Sequence, residues 1–158
     1  MEKIDRMDLK ILSELQDDAR KSLREIAEKL GVTEATIYNR INKMKKMGII
    51  EKFIPVINYS KLGFDLIAVI GITAKGGKVI EVEKLLAEMP NVTAVYDVTG
   101  EFDVIAVSKF RDRDSLNEFV KDIGKLELVE KTYTMLVLNV VKETHMIDIE
   151  SIFNEESK

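Results

Sequence analysis

Residues 22–44 read SLREIAEKLGVTEATIYNRINKM, and this stretch decides the fold of the first third of the chain. Ser22-Leu23-Arg24-Glu25 has the S-x-x-E pattern of a capping box, in which the hydroxyl accepts from the N–H three residues on and the carboxylate reaches back to the cap N–H. Leu23, Ile26, Ala27 and Leu30 then recur at helical spacing. Gly31 stands where a helix ends in a left-handed residue. A second helix follows at once, with Thr33 as its cap and Glu34 in the first turn, where the helix dipole favours an acid. Ile37, Ile41 and Met44 repeat at i, i+4, i+7, and Gly48 closes the run. The small Ala27 permits close approach and Gly31-Val32 gives a tight reversal, the spacing a helix-turn-helix requires.

Toward the N-terminus the pattern stays helical. Asp5 is placed to cap a helix, Ile4 and Leu9 hold the two positions of a hydrophobic staple, and Leu9, Ile11, Leu12 and Leu15 supply an apolar face that fades around residues 17–19. On the helix that starts after Thr33, the residues Ala35, Thr36, Asn39, Arg40 and Lys43 point away from the Ile37/Ile41/Met44 stripe. Small and polar side chains near a helix N-terminus suit entry into a major groove. The predicted contacts to double-stranded DNA are therefore Thr33, Thr36, Asn39, Arg40, Lys43 and Lys46. Asn39 has the chemistry to read adenine, Arg40 to read guanine or hold a phosphate, and Lys43, Lys45 and Lys46 to hold phosphates. The competing reading is a plain three-helix bundle with a solvated basic face.

Charge distribution separates the two better than the total does. The net charge of −4 is unpromising for a nucleic-acid binder. Residues 1–60, however, carry 12 basic and 10 acidic side chains, and the remainder 12 and 18. Residues 36–48 hold four basic side chains and no acid, a local asymmetry that favours DNA contact.

Toward the C-terminus the period changes. Residues 49–54 read as a strand broken by Pro55, and 58–63 are turn-rich. Residues 66–73 form an apolar, β-branched strand, and Lys75-Gly76-Gly77-Lys78 a turn. Val79, Val82, Leu85 and Leu86 mark a helix stopped by Met89-Pro90-Asn91. Strands over 92–99 and 102–110 flank a Gly100-Glu101 turn, a helix over 112–125 turns Leu116, Phe119, Val120 and Ile123 inward, and 132–141 is the last strand. The order βαββαβ predicts a ferredoxin-like antiparallel sheet with both helices on one face, giving an α+β chain overall. The expected organisation is a winged helix-turn-helix domain over 1–50, a linker strand over 51–63, the ferredoxin-like domain over 64–145, and a short, partly helical tail over 146–158. Helices on one face leave the other needing cover. Residues 66–72 are apolar on both faces, and 136–141 are so apart from Asn139, which predicts a homodimer through that face.

Composition narrows the chemistry. Without cysteine and with His145 as the single histidine, neither thiolate metal sites nor the common nucleophile–base pairs are available. The expectation is a regulator with no catalytic residues, no metal and no cofactor, rather than an enzyme. Gly76-Gly77-Lys78-Val79 lacks the Lys-Ser/Thr ending of a phosphate loop. No apolar run approaches a bilayer's width and Met1-Glu2-Lys3-Ile4-Asp5 lacks a signal-peptide core, so a cytoplasmic location with no membrane partner is expected. Glu101 and Asp103, at i, i+2, are either an acidic pair able to meet an amino group or solvated hairpin residues.

Several of these segments together resemble one family. Asp5-x-x-Asp8-x-x-Ile11-Leu12, Ser22-Leu23-Arg24-Glu25-Ile26-Ala27, Gly31-Val32-Thr33, Arg40-Ile41-x-Lys43-Met44, Gly48-Ile49-Ile50, Val98-Thr99-Gly100-Glu101-Phe102-Asp103 and Thr132-Tyr133-Thr134-Met135 occur in the order found in the Lrp/AsnC, or feast/famine, regulators. The resemblance spans residues 4–147. It implies dimers on DNA, often larger rings and commonly octamers, with an amino acid or related metabolite bound between sensing domains. By the same resemblance Thr99, Gly100, Glu101 and Asp103 would line the effector site, with Thr132, Thr134 and Met135 nearby. Phe102 stands where the family often has Tyr, so the turn lacks a hydroxyl. An architectural DNA-binding protein with no effector is the alternative within the same fold.

Overall fold

The computed structural model describes residues 3–155. The chain divides into two compact units. One comprises residues up to Val56 together with those from Lys142 onward, and the other runs from Ile57 to Val141.

In the first unit α1 spans Arg6–Asp17, α2 Leu23–Leu30 and α3 Glu34–Lys46. Each begins directly after an extended cap residue, Asp5, Ser22 and Thr33 in turn. The Asp8 N–H donates to Asp5 Oδ1 at 2.9 Å while Asp8 Oδ2 accepts from the Asp5 N–H at 3.1 Å, an all-aspartate capping box. Ser22 and Glu25 make the expected box, and Thr33 Oγ1 accepts from the Thr36 N–H at 3.2 Å. Gly31 adopts φ 68°, which lets α2 stop and α3 start three residues later at Glu34. Ile11, Ile26, Ala27, Ile37, Ile41 and Met44 form the core, ringed by Leu12, Leu15, Leu23, Leu30 and Val32. Each aliphatic side chain buried there contributes about 1.5–3 kcal/mol. A further helix, α6 (Ile149–Glu155), packs against α1, so the segment expected as a tail joins this unit.

The strand expected over 49–54 does not form. Between Met47 and Tyr59 the backbone makes no ladder, and Phe53, Ile54, Val56 and Ile57 are exposed. A strand needs a neighbour for its N–H and C=O groups, and the described residues offer none; Pro55 removes a donor besides.

The second unit holds β1 (Leu66–Ala74), α4 (Val79–Ala87), β2 (Val92–Asp97), β3 (Val104–Phe110), α5 (Arg113–Gly124) and β4 (Val129–Leu136). The four strands form one antiparallel sheet in the order β2-β3-β1-β4. Ala68, Ile70, Ile72, Ala74, Val104, Ala106 and Phe110 face the helices and pack with Val82 and Leu86 of α4 and Leu116 and Ile123 of α5. The ends of β2, β3 and β4 differ from expectation. The strand expected over 92–99 ends at Asp97 and that over 102–110 begins at Val104, because Gly100 at φ 126° opens a loop closed by the Val98 N–H donating to the Asp103 carbonyl at 3.0 Å. The strand expected over 132–141 runs instead from Val129 to Leu136. Its start pairs with Ala74 through a bulge, its end stands opposite Ala68, and beyond it the Val137 N–H donates to the Ile67 carbonyl at 2.8 Å, close to where β1 begins at Leu66.

Candidate nucleic-acid interface and effector site

The exposed side of α3 divides into two parts. Asn39 and Lys46 stand exposed, with Tyr38 and Lys45 beside them; the Lys45 ammonium sits 5.0 Å from the centre of the exposed Phe53 ring. Thr33 is exposed and Thr36 partly so, but their hydroxyls bond each other at 2.9 Å at the cap.

Arg40 and Lys43 do not project freely. Arg40 Nη1 donates to Asp5 Oδ1 at 2.8 Å, Asp5 Oδ2 at 2.7 Å and Asp8 Oδ1 at 2.8 Å. Lys43 Nζ donates to the Lys3 carbonyl at 3.2 Å and lies 3.6 Å from Asp8 Oδ2. The Asp8 side chain is 0% exposed. Bonding from the Arg40 guanidinium, helped by the Asp8 N–H, holds the Asp5 carboxyl below its ordinary value, and the two carboxylates raise Arg40 above its own. Charge-assisted bonds of this length are the stronger kind. A shallow concavity beside the cluster is lined by Asp5, Thr36, Asn39, Arg40 and Lys43. Local spacing places Asp5 as the cap but gives Asp8 no capping role and no sign of its partners, which come from 32 and 35 residues further on.

The predicted effector residues lie around the β2–β3 turn and on β4. Thr99, Gly100 and Glu101 are exposed in the turn. Asp103 is tied into the sheet: its N–H donates to the Ile72 carbonyl at 3.1 Å, and its Oδ2 accepts from the Ala74 N–H at 2.8 Å. Neither Glu101 nor Asp103 lies in a strand, so the i, i+2 argument for a shared face does not apply. On β4, Thr132 and Thr134 stand opposite Ile72 and Ile70 and share the helix-covered face, whereas Met135 stands opposite Val69 on the open face. Thr132 and Asp103 therefore flank Ile72 from its two sides. The open face also carries Phe102, whose ring lies over Gly71 and stacks on Tyr133 at 5.9 Å between centroids. Among the described residues no group of three or more His, Asp or Glu could hold a metal ion, and no helix is long and apolar enough to cross a membrane.

Comparison with known proteins follows the same division. Residues 4–51 match the profile of a winged helix-turn-helix DNA-binding domain, and residues 67–147 match that of the Lrp/AsnC ligand binding domain. An uncharacterised HTH-type transcriptional regulator of Pyrococcus furiosus is 50% identical over 92% of this chain and 98% of its own length. The structure of E. coli AsnC superposes with a TM-score of 0.86 at 28% identity, covering 92% of this chain and 99% of that one. A transcriptional regulator of Neisseria meningitidis, solved as a complex with L-Met, superposes at 0.87 over 95% of this chain and 99% of that one, with 22% identity, a likeness of fold alone.

Proposed function

Since this chain belongs to the Lrp/AsnC family of transcriptional regulators, we propose that it binds specific double-stranded DNA as a homodimer and responds to an amino acid or a closely related metabolite. The observation that carries the DNA reading is the exposed side of α3, capped by Thr33 and backed by the buried Ile37, Ile41 and Met44. Asn39 supplies base readout, and Lys45 and Lys46 supply phosphate contacts in successive major grooves of an inexact palindrome. Thr33 and Thr36 contribute small polar groups at the helix entrance.

The effector reading is supported by the match of residues 67–147 to a ligand binding domain and by the L-Met bound to the Neisseria protein. The ligand's polar groups would meet Thr99, Gly100 and Glu101 in the turn, with Asp103 bracing the turn from behind and Thr132, Thr134 and Met135 nearby. A ligand changes DNA affinity only if it binds two states of the protein unequally. A second copy would cover the open face of the sheet.

Footprinting on genomic fragments, with the salt concentration stated, tests the first claim. Salt-sensitive, sequence-preferring protection is expected. Equal affinity for all fragments would leave an architectural DNA-binding role, and no binding would remove the reading altogether. A thermal-shift screen against amino acids, L-Met included, tests the second: a true effector raises the melting temperature with concentration.

A further inference from the structure

Two carboxylates and two cations meet where α1 begins and α3 passes. Asp5 and Asp8 already cap α1 through their reciprocal backbone bonds. The same two side chains take three bonds from Arg40 Nη1, and Asp8 lies within 3.6 Å of Lys43 Nζ. The pairs balance in charge. Arg40 and Lys43 therefore add little net positive charge to the face of α3, although the sequence counts them as half of its basic residues from 36 to 48. Asp8 has no exposure to water, so its charge is tolerable only with these partners in place. The buried residues that α1 and α3 otherwise share, Ile11 with Ile37, Ile41 and Met44, are apolar. Apolar contacts tolerate sliding, whereas hydrogen bonds to a fixed carboxylate set rotation and register.

We infer that Asp8 is a positioning residue for DNA recognition: with Asp5 it holds Arg40 as an internal strut that fixes the setting of α3, so that base readout falls to Asn39 and its neighbours rather than to Arg40. The inference rests on the regulator reading above. It assigns Arg40 a role opposite to the one its place in the sequence predicts, and makes the N-terminal cap of one helix the anchor of another. Base-edge contacts need placement to a fraction of an ångström, so loosening the strut costs sequence preference first. Phosphate contact, which positions without reading sequence, is preserved.

The test uses the full chain, a DNA fragment selected for binding by the parent protein, and an unrelated fragment of equal length. Asp8→Asn, Arg40→Gln and the double variant are compared with the parent over a salt series. Each single variant should lower the ratio of specific to unrelated affinity about tenfold or more. The double variant should fall no further than the worse single, because both remove one strut. The slope of log affinity against log salt should stay as in the parent for Arg40→Gln, since no phosphate contact is lost. A direct Arg40–phosphate contact would lower that slope by about one. Such a loss of slope in Arg40→Gln, or an unchanged specificity ratio in Asp8→Asn, overturns the inference. Should Asp8→Asn fail to fold, Asp5→Asn takes its place, because Asp5 is half-exposed and supplies two of the three Arg40 contacts. If the parent chain binds no DNA, the regulator reading fails and takes this inference with it; if the parent binds and the variants keep its specificity, only this inference fails.

Discussion

Glu14 shows what a single residue contributes and why its role stays hidden along the chain. It falls on the helical stripe of α1 among leucines, and its side chain is only 10% exposed. Lys29 Nζ reaches it at 2.5 Å and Lys21 Nζ at 3.0 Å, so it ties α1 to α2 and to the loop before it. Bonding from Lys29 first, then Lys21, holds its carboxyl below the ordinary 4.5. A carboxyl depressed in the folded state contributes stability that is complete above its unfolded value and disappears as pH falls through the folded one. Melting temperature should therefore drop on acidification below about pH 4.5. Glu14→Gln should show a lower melting temperature at pH 7 and a smaller drop on acidification; parallel curves for parent and variant would refute the assignment. Asp5 and Asp17 shift in the same direction, so the difference between the two proteins, not the whole curve, is the measure. The Ser22–Glu25 capping box was legible because it acts through the backbone at a fixed spacing of three residues, whereas at α1 the spacing pointed to Asp5 as the cap without its partner Asp8. The Glu14–Lys29 and Asp8–Arg40 pairs were not, since nothing local in a sequence states which distant side chains meet.

At the scale of elements, periodicity located α1 to α5 and every strand of the sheet, misplaced ends where pairing decides them, and gave only a partly helical tail where α6 forms. The strand expected over 49–54 has the right residues and no partner, while β4 follows the length of β1 rather than its own apolar run, leaving Leu138 and Val141 exposed. The β2–β3 turn carries a feature that pattern alone could not supply. Gly71 stands between Ile105 and Tyr133 in the middle of the sheet, and the Phe102 ring fills the space above it. An added Cβ there would lie 2.7–2.8 Å from the ring. An aromatic ring laid over a strand glycine compensates for its missing side chain. Gly71→Ala should then destabilise the chain by about 1–3 kcal/mol, the usual cost of overpacking, read as a lower denaturant midpoint at unchanged m-value. The loss should shrink in a Phe102→Ala background, where the clash is gone. Equal losses in both backgrounds would show that the ring gives way freely. Because Phe102 and Asp103 belong to the candidate effector turn, Gly71→Ala should also weaken any amino-acid-induced thermal shift.

For the whole molecule the question is what covers the sheet. Cross-strand partners share a face, so the open side carries one row of Ala94, Val107, Val69 and Met135 and a second of Tyr96, Ile105, Gly71 and Tyr133. Tyr96 and Tyr133, on the two edge strands at the ends of the second row, are 56% and 53% exposed and carry the apolar surface across the full width of the sheet. The apolar reading of 66–72 on both faces made this face legible in the sequence, while the extent of the patch emerged only from the register. A second copy docked about a two-fold axis meets each residue with its own symmetry mate or a near neighbour, so one substitution acts twice. Val107 stands in the centre of the first row and turns away from the helix-packed core. Val107→Asp should leave the fold intact by circular dichroism while placing two carboxylates at a desolvating contact, a cost of several kcal/mol. Sedimentation should then show the parent as a dimer or larger assembly at micromolar concentration and the variant as a monomer, with dimer affinity weakened about a hundredfold or more. The monomer would carry one α3 where a palindrome offers two half-sites, so its specific DNA affinity should collapse toward the nonspecific level. A parent that sediments as a monomer, or a variant that stays dimeric with full DNA affinity, would place the subunit contact elsewhere and leave the two tyrosines to another partner.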